Sequence, residues 1–433
     1  MSSRQIQRTK QPQQWQLVTL EDIAASTKHS IKRGPWGGSL KREIFVSSGY
    51  KVYEQKNVIY NDFKIGNYYI DSQKFSELKD FAISPGDVLI SCSGTYGKVA
   101  VVPNNIEKGI INQALLKISP NQEKIVTPYF KYLLESELIQ KYFVGLTHGS
   151  AIKNVVSVSI LKQMKFRLPS IFEQHKIAST LSKVDELIQK TDQIIEQTQR
   201  LKKALMQRLL TKGIGHAKFK KVSWLFGKKI VIPEEWNILS LHDICKNITD
   251  GKHGDCENEN HSGFYFISAK DIFNGKIHYE KARQITMSDF LDAHKRTKIE
   301  PGDILLTNSG SIGKLAIVED KFNTPKTTFQ KSVAILKPSI DKIFVKFFYY
   351  YLDYNQQQLE TIASGSSQKN LLLRQLESFR IVLPLLSEQK KIGLVLSDID
   401  SRIQNQKDHK LIFENLKKGL MQKLLTGKIR VKV

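Results

Sequence analysis

Cysteine is almost missing from this chain. Its three thiols, Cys92, Cys245 and Cys256, are too few and too scattered in 433 residues for a disulfide framework or a Cys-rich zinc site. Long apolar runs are missing as well. No stretch approaches the roughly 18 residues that a membrane span requires, and the opening MSSRQIQRTKQPQQW lacks the apolar core of a secretory signal, so a cytoplasmic protein without membrane contact is expected. Acidic residues are in short supply. Lys plus Arg number 66 against 42 Asp plus Glu, a formal charge of +24 and a pI near 9.6. A polyanion is the expected class of partner, although a merely soluble basic protein or a ribosome-associated factor would share that charge. The hydrophobic content of 40% is enough for ordinary cores, and the length leaves room for two or three domains.

What is present is a duplication. Residues 171–212 read as one long helix, with Ile177, Leu181, Val184, Ile188, Ile195, Leu201, Leu205 and Leu209 recurring at three- and four-residue steps along one stripe. A shift of 215 residues lays Ile392, Leu396, Ile399, Ile403, Leu416, Leu420 and Leu424 onto the same seam. The ends match more closely still: Glu173-Gln174 recurs as Glu388-Gln389, and LMQRLLTKGI at 205–214 recurs as LMQKLLTGKI at 420–429. Two unrelated periodic helices would not match at both ends. The middle of each seam turns polar or mixed (Thr191, Ile195, Thr198; Gln406, Lys410, Phe413), which weakens a continuous zipper and can fix register.

The segments before the helices repeat too. PQQW at 12–15, with Leu20 and Ile23, returns 221 residues later as PEEW at 233–236, with Leu241 and Ile244. Strand-like runs at Lys51–Tyr53, Asn57–Tyr60 and Val88–Ile90, punctuated by Gly, Asn and Pro-Gly-Asp turns, predict a twisted, mixed or antiparallel sheet. The strongest match there is PGDVLISCSGTYGK at 85–98 against PGDILLTNSGSIGK at 301–314. Each reads as turn, buried strand, Gly-rich loop and strand. Glycines let a backbone approach a phosphate and a terminal Lys adds charge, so Ser93, Thr95 and Lys98, and Ser309, Ser311 and Lys314, suit contact with a nucleic-acid backbone. A plain glycine hairpin with a solvated Lys is the equal alternative. Neither loop is a P-loop, because only two residues separate its glycines and Val99 or Leu315 follows the Lys. Each half then carries a helix (128–134; 345–352) and a polar segment, HGSAIKN at 148–154 or SGSSQKN at 364–370, in which Lys153-Asn154 and Lys369-Asn370 coincide. The aromatics at 347–351 read as core and partner contacts before they read as stacking platforms.

In this order, twice over, the motifs resemble the specificity subunit of type I restriction–modification systems, from Trp15 to Ile429. GPWGGSLK at 34–41, DGKH at 250–253 with FYFISAKDI at 264–272 and Gly275, and the closing LLTGK also fit that pattern. The resemblance implies an α+β fold: two mixed α/β target-recognition domains separated by two long antiparallel helices, an internal duplication with pseudo-twofold symmetry. About 40 helical residues would span roughly 60 Å. The expected divisions are a tail at 1–14, a first domain at 15–169, a helix at 170–213, a linker at 214–235, a second domain at 236–384, a second helix at 385–428 and a tail at 429–433. The resemblance also implies that the chain reads a split double-stranded DNA target for two methylation subunits that use S-adenosylmethionine and for restriction subunits driven by ATP with Mg²⁺.

Carried onto these residues, the resemblance puts DNA-contacting loops at Gly34, Trp36, Ser39 and Lys41 and at Lys252 and His253. Asp255, Glu257 and Glu259 in the second loop would repel phosphates unless they turn away or accept from cytosine amino groups. The spacing of His253, Cys256 and His261 fits no common zinc pattern, so no metal is expected. Nor is an enzyme. There is no Asp/Asn-Pro-Pro-Tyr/Phe methylation loop, TPYF at 127–130 being the nearest, and no Pro-Asp…Glu-x-Lys nuclease pattern. The competing reading is a non-enzymatic protein-binding scaffold.

Overall fold

The computed structural model describes residues 15–145, 157–365 and 369–431. The tail 1–14 lies outside them, as do Lys153 and Asn154. The chain forms two compact units, residues 1–191 with 409–433, and residues 192–408.

In the first unit the central sheet is antiparallel. It is built from β1 (Ile31–Arg33), β2 (Val88–Ser91), β3 (Val99–Val101) and β4 (Leu115–Ile118), in the order β1-β4-β2-β3. Both faces are covered, so Val88, Leu89 and Ile90 are all buried and the strand shows no alternation. A smaller mixed sheet sets Tyr50–Tyr53 antiparallel to Tyr69–Ile70 and parallel to Gly109–Ile111. The strand Gln16–Thr19 pairs antiparallel with Lys165–Leu168, directly before the first long helix, Ile171–Lys212. The second unit repeats the plan. Its central sheet holds β5 (Cys245–Asp250), β6 (Ile304–Thr307), β7 (Leu315–Ile317) and β8 (Val333–Pro338), in the order β5-β8-β6-β7. Tyr265–Ile267 lies antiparallel to Arg283–Gln284 and parallel to Thr327–Phe329, and Asn237–Ser240 pairs with Arg380–Leu383 before the second long helix, Leu386–Leu424.

The repeated Glu-Gln at each long helix is structural. Glu173 is 1% exposed; it accepts the Trp15 indole N–H at 3.1 Å and the Arg430 guanidinium at 2.6 and 2.7 Å. Its equivalent, Glu388, accepts the Trp236 indole N–H at 3.0 Å, His216 Nε2 at 2.9 Å and the Ile214 N–H at 2.8 Å. Gln174 accepts the Val126 N–H and donates to the Lys124 and Pro169 carbonyls. Gln389 does the same with Phe344, Lys342 and Pro384. Trp15 with Glu173-Gln174, and Trp236 with Glu388-Gln389, are thus two sides of one joint between helix and domain.

In each unit the start of one long helix runs beside the end of the other, in antiparallel sense. Ile177 and Leu181 share a core with Leu424 and Leu425, and Leu209 and Leu210 share one with Ile392 and Leu396. Two expected seam residues are not on it: Leu201 and Leu416 are 52% and 47% exposed. The three-four stepping reaches Lys202 from Thr198, and residue 201 falls about 100° around the helix. At the seam position Lys202 meets Asp400 at 2.7 Å, and its ammonium lies 5.3 Å from the Tyr350 ring centre. The copy in the first unit is Lys417 with Asp185 at 2.7 Å and Tyr132 at 5.4 Å. Each phenol donates to the shared aspartate, and burial raises both phenol pKa values beyond the usual range.

Two other expectations are corrected. Asn57–Tyr60 is not a strand, because Gln55–Ile59 is helical. The buried Asn57 amide accepts the Glu54 N–H and donates to the Asp62 and Ile65 carbonyls, and these bonds override the β preference of Val58 and Ile59. The segment 214–235, expected as a linker, contains a hairpin of Phe219–Ser223 with Lys229–Pro233, and its Trp224 donates to the Arg380 carbonyl.

Replacing Glu173 by Ala strands an indole and a guanidinium against a buried site, so Glu173→Ala should destabilise the first unit by about 2–4 kcal/mol. Glu173→Gln, which keeps an acceptor, should cost less. Chemical denaturation followed by tryptophan fluorescence measures both; a Glu173→Ala chain as stable as the parent would contradict the assignment.

Candidate nucleic-acid interface

One end of each central sheet gathers the loops singled out in the sequence. In the first unit the register Arg33↔Leu116 and Ser91↔Leu115 brings the end of β1, the end of β2 and the start of β4 side by side. Gly34 N–H donates to Leu115 O at 2.9 Å and Cys92 N–H to Ala114 O at 2.7 Å. The loop carrying Trp36, Ser39 and Lys41 and the loop carrying Ser93, Thr95 and Lys98 therefore leave the same end. Gly34 is there for its missing side chain, since a Cβ would stand 1.8 Å from Asn112 O. Trp36, Lys41, Thr95 and Lys98 are exposed, and Ser39 and Ser93 are half-buried.

The second unit uses the same frame. Asp250↔Ala334 and Thr307↔Val333 align β5, β6 and β8, and a Cβ on Gly251 would stand 2.2 Å from Phe329 O. Lys252 and His253 leave this end together with Ser309, Ser311 and Lys314. The polar segment joins them: Asn370 bridges to Ser309 and to Ser364, and Leu371 N–H donates to Asn308 O at 2.8 Å. Lys369 and Asn370 are exposed, whereas Lys314 is half-buried.

Both Gly-rich loops close as tight hairpins. Gly97 N–H donates to Ser91 O and Gly313 N–H to Thr307 O, each at 2.8 Å. The second glycine of each adopts positive φ, +78° and +82°, and a glutamine braces the loop from outside: Gln140 donates to Gly97 O and Gln356 to Ile312 O. The Pro-Gly-Asp turns lie at the opposite end of β2 and β6. Asp87 accepts the Ser84 N–H and the Ser119 hydroxyl, and Asp303 accepts the Glu300 N–H and Lys337 at 2.6 Å. Burial raises both carboxyl pKa values. These aspartates hold the strands; the glycine-lysine ends present the face.

Charges on the second face are largely tied. Lys252 sits 3.1 Å from both Asp289 and Asp292, whose bonds raise its pKa. His253 bonds Asp250 at 3.2 Å, and Arg296 also bonds Asp250. Asp255 turns to Arg283, which holds its carboxyl below the usual range. Cys256 is buried with Phe266, Ile285 and Phe290, and the aromatics Phe347, Phe348, Tyr350 and Tyr351 are core.

The sequence reading passed over three polar groups at these ends. Arg33 closes β1 and its Nε donates to Gln113 O at 3.3 Å. Lys331 is exposed in the loop before β8. Asn308, 6% exposed, holds a side-chain oxygen with no hydrogen-bond partner among the described residues. The 217-residue match of Gly34 with Gly251 was the signal that would have aligned these positions.

The family model of the type I restriction modification DNA specificity domain matches residues 12–200 and again 233–412. The type I restriction enzyme MjaVIII specificity subunit of Methanocaldococcus jannaschii is 29% identical over 361 residues, covering 82% of this chain and 81% of that protein. The EcoBI specificity subunit of Escherichia coli is 24% identical, covering 80% and 74%. The crystal structure of a type I restriction-modification S subunit from M. genitalium shares the fold, with a TM-score of 0.56 at 18% identity over 97% of this chain and 98% of that one. Matched by its family in both halves of the duplication, this chain belongs to the type I restriction–modification DNA specificity subunits, which are non-catalytic.

Proposed function

We propose that this chain reads an asymmetric, bipartite duplex with one domain per half-site and delivers it to two methylation subunits and to restriction subunits. The observation that carries the reading is the paired sheet ends, the same backbone frame in both domains bearing unlike side chains. Trp36 and Thr95 stand where the second domain has His253 and Ser311, while Lys98 recurs as Lys314. A duplicated protein with identical faces would read a palindrome; these faces would not. The domains responsible are residues 15–169 and 236–384, the faces are the loops named above, and S-adenosylmethionine, ATP and Mg²⁺ belong to the partner subunits. Lys98 and Lys314 serve phosphates, which position a protein on DNA without reading its sequence.

Two outcomes test this. The purified chain alone should neither methylate nor cut DNA, and methylation should appear once the methylation subunit and S-adenosylmethionine are added; robust methylation by the single chain would contradict it. In the complex, Lys98→Ala and Lys314→Ala should each weaken binding to all sequences alike and reduce the slope of log affinity against log salt by about one. A substitution that changed the preferred bases instead would move that lysine from phosphate to base contact.

A further inference from the structure

Trp36 is 88% exposed, the highest value among the described large hydrophobic side chains. An indole covers about 150–250 Å² when it is packed, so leaving one in water on a chain with adequate cores calls for a partner. Its stem is fixed. Gly34 is pinned to β4 through Leu115 O, its close approach to Asn112 admits no side chain, Pro35 is buried, and Ser39 N–H closes a turn onto Trp36 O at 2.8 Å. The backbone that carries the indole is therefore held in place, and the ring stands in solvent.

Its setting is cationic. Arg33 precedes it at the end of β1, Lys41 and Arg42 follow in the same loop, and Lys98 leaves the same sheet end; Lys41, Arg42 and Lys98 are exposed. An apolar protein surface would have to bury those charges, whereas a duplex offers phosphates to them and a base stack to the ring. The matched place in the second domain, two residues past Gly251, also carries a ring. His253 has 62% of its side chain exposed and is tied to Asp250.

We propose that Trp36 is a stacking wedge, its indole entering the base stack at one step of the half-site that the first domain reads. This rests on the DNA-reading function proposed above. The wedge supplies affinity that tolerates sequence at its own step and favours an easily unstacked pyrimidine–purine step there. The second domain, with a smaller ring bound to an aspartate, grips its half-site without a wedge.

The test uses the full chain with its methylation subunits and a duplex containing the methylated site. 2-Aminopurine is placed in turn at each step of both half-sites. The wild type should brighten the probe at one step of the first half-site. Trp36→Ala should abolish that signal and weaken binding about ten- to a hundredfold, while Trp36→Phe retains most of both. Melting temperature should not move, because the side chain is exposed. Unchanged affinity for Trp36→Ala, no brightened step in the wild type, or loss of methylation-subunit assembly without DNA would each overturn the wedge; the last would make Trp36 a protein contact. A wild-type complex with no sequence selectivity would overturn the DNA-reading function as well.

Discussion

A carboxylate at the start of each long helix, buried in Glu173 and half-buried in Glu388, holds the rest of the structure in place. Glu173 and Glu388 each accept a tryptophan N–H from the residue that opens the domain and a side-chain N–H, from Arg430 or His216, of the chain leaving the other helix. Such a carboxylate is costly to bury unless every lone pair has a donor, and these have two or three. One residue therefore ties together the domain's first strand, the helix that follows it and the returning end of the partner helix. The adjacent glutamine fixes the same helix to the loop after the central sheet. Lys417 with Asp185 and Lys202 with Asp400 repeat the arrangement further along, with a protonated tyrosine as the third member.

With the frame held in this way, the far ends of the sheets are free to differ. Residues that set the frame repeat between domains: Gly34 and Gly251, Asp87 and Asp303, Gly97 and Gly313. Some residues on the face do not: Trp36 is replaced by His253 and Thr95 by Ser311, although Ser93 and Lys98 recur as Ser309 and Lys314. Strand interiors answer to packing, where a change costs stability; loop tips answer to the ligand.

Much of this was legible in the chain because repetition reveals what periodicity alone cannot. The first long helix spans Ile171–Lys212 as read; its duplication followed from the matched ends, and its antiparallel pairing was what the family resemblance implied. The failures have physical causes. Following apolar residues placed Leu201 and Leu416 on the seam, although the three-four stepping selects the lysine one position on, which is held there by a partner aspartate and tyrosine, and partners distant in sequence are invisible to periodicity. Val58 and Ile59 argued for a strand until a single buried asparagine decided for helix. Lys252 looked like a free cation because Asp289 and Asp292 are some forty residues away. The loops that share each sheet end were singled out by motif, but the exposure of Trp36, the burial of Asn308 and the capture of Asp255 by Arg283 needed coordinates.

The most direct measurement is a map of methylated adenines in cells carrying this chain with its partner subunits, beside one from cells whose chain is altered only on the second face, by His253→Ala with Asn370→Ala. Two unlike half-sequences separated by a fixed gap are expected, with any relaxation confined to one half in the altered cells. A contiguous or palindromic motif, or relaxation of both halves together, would contradict a chain that reads one half-site with each domain.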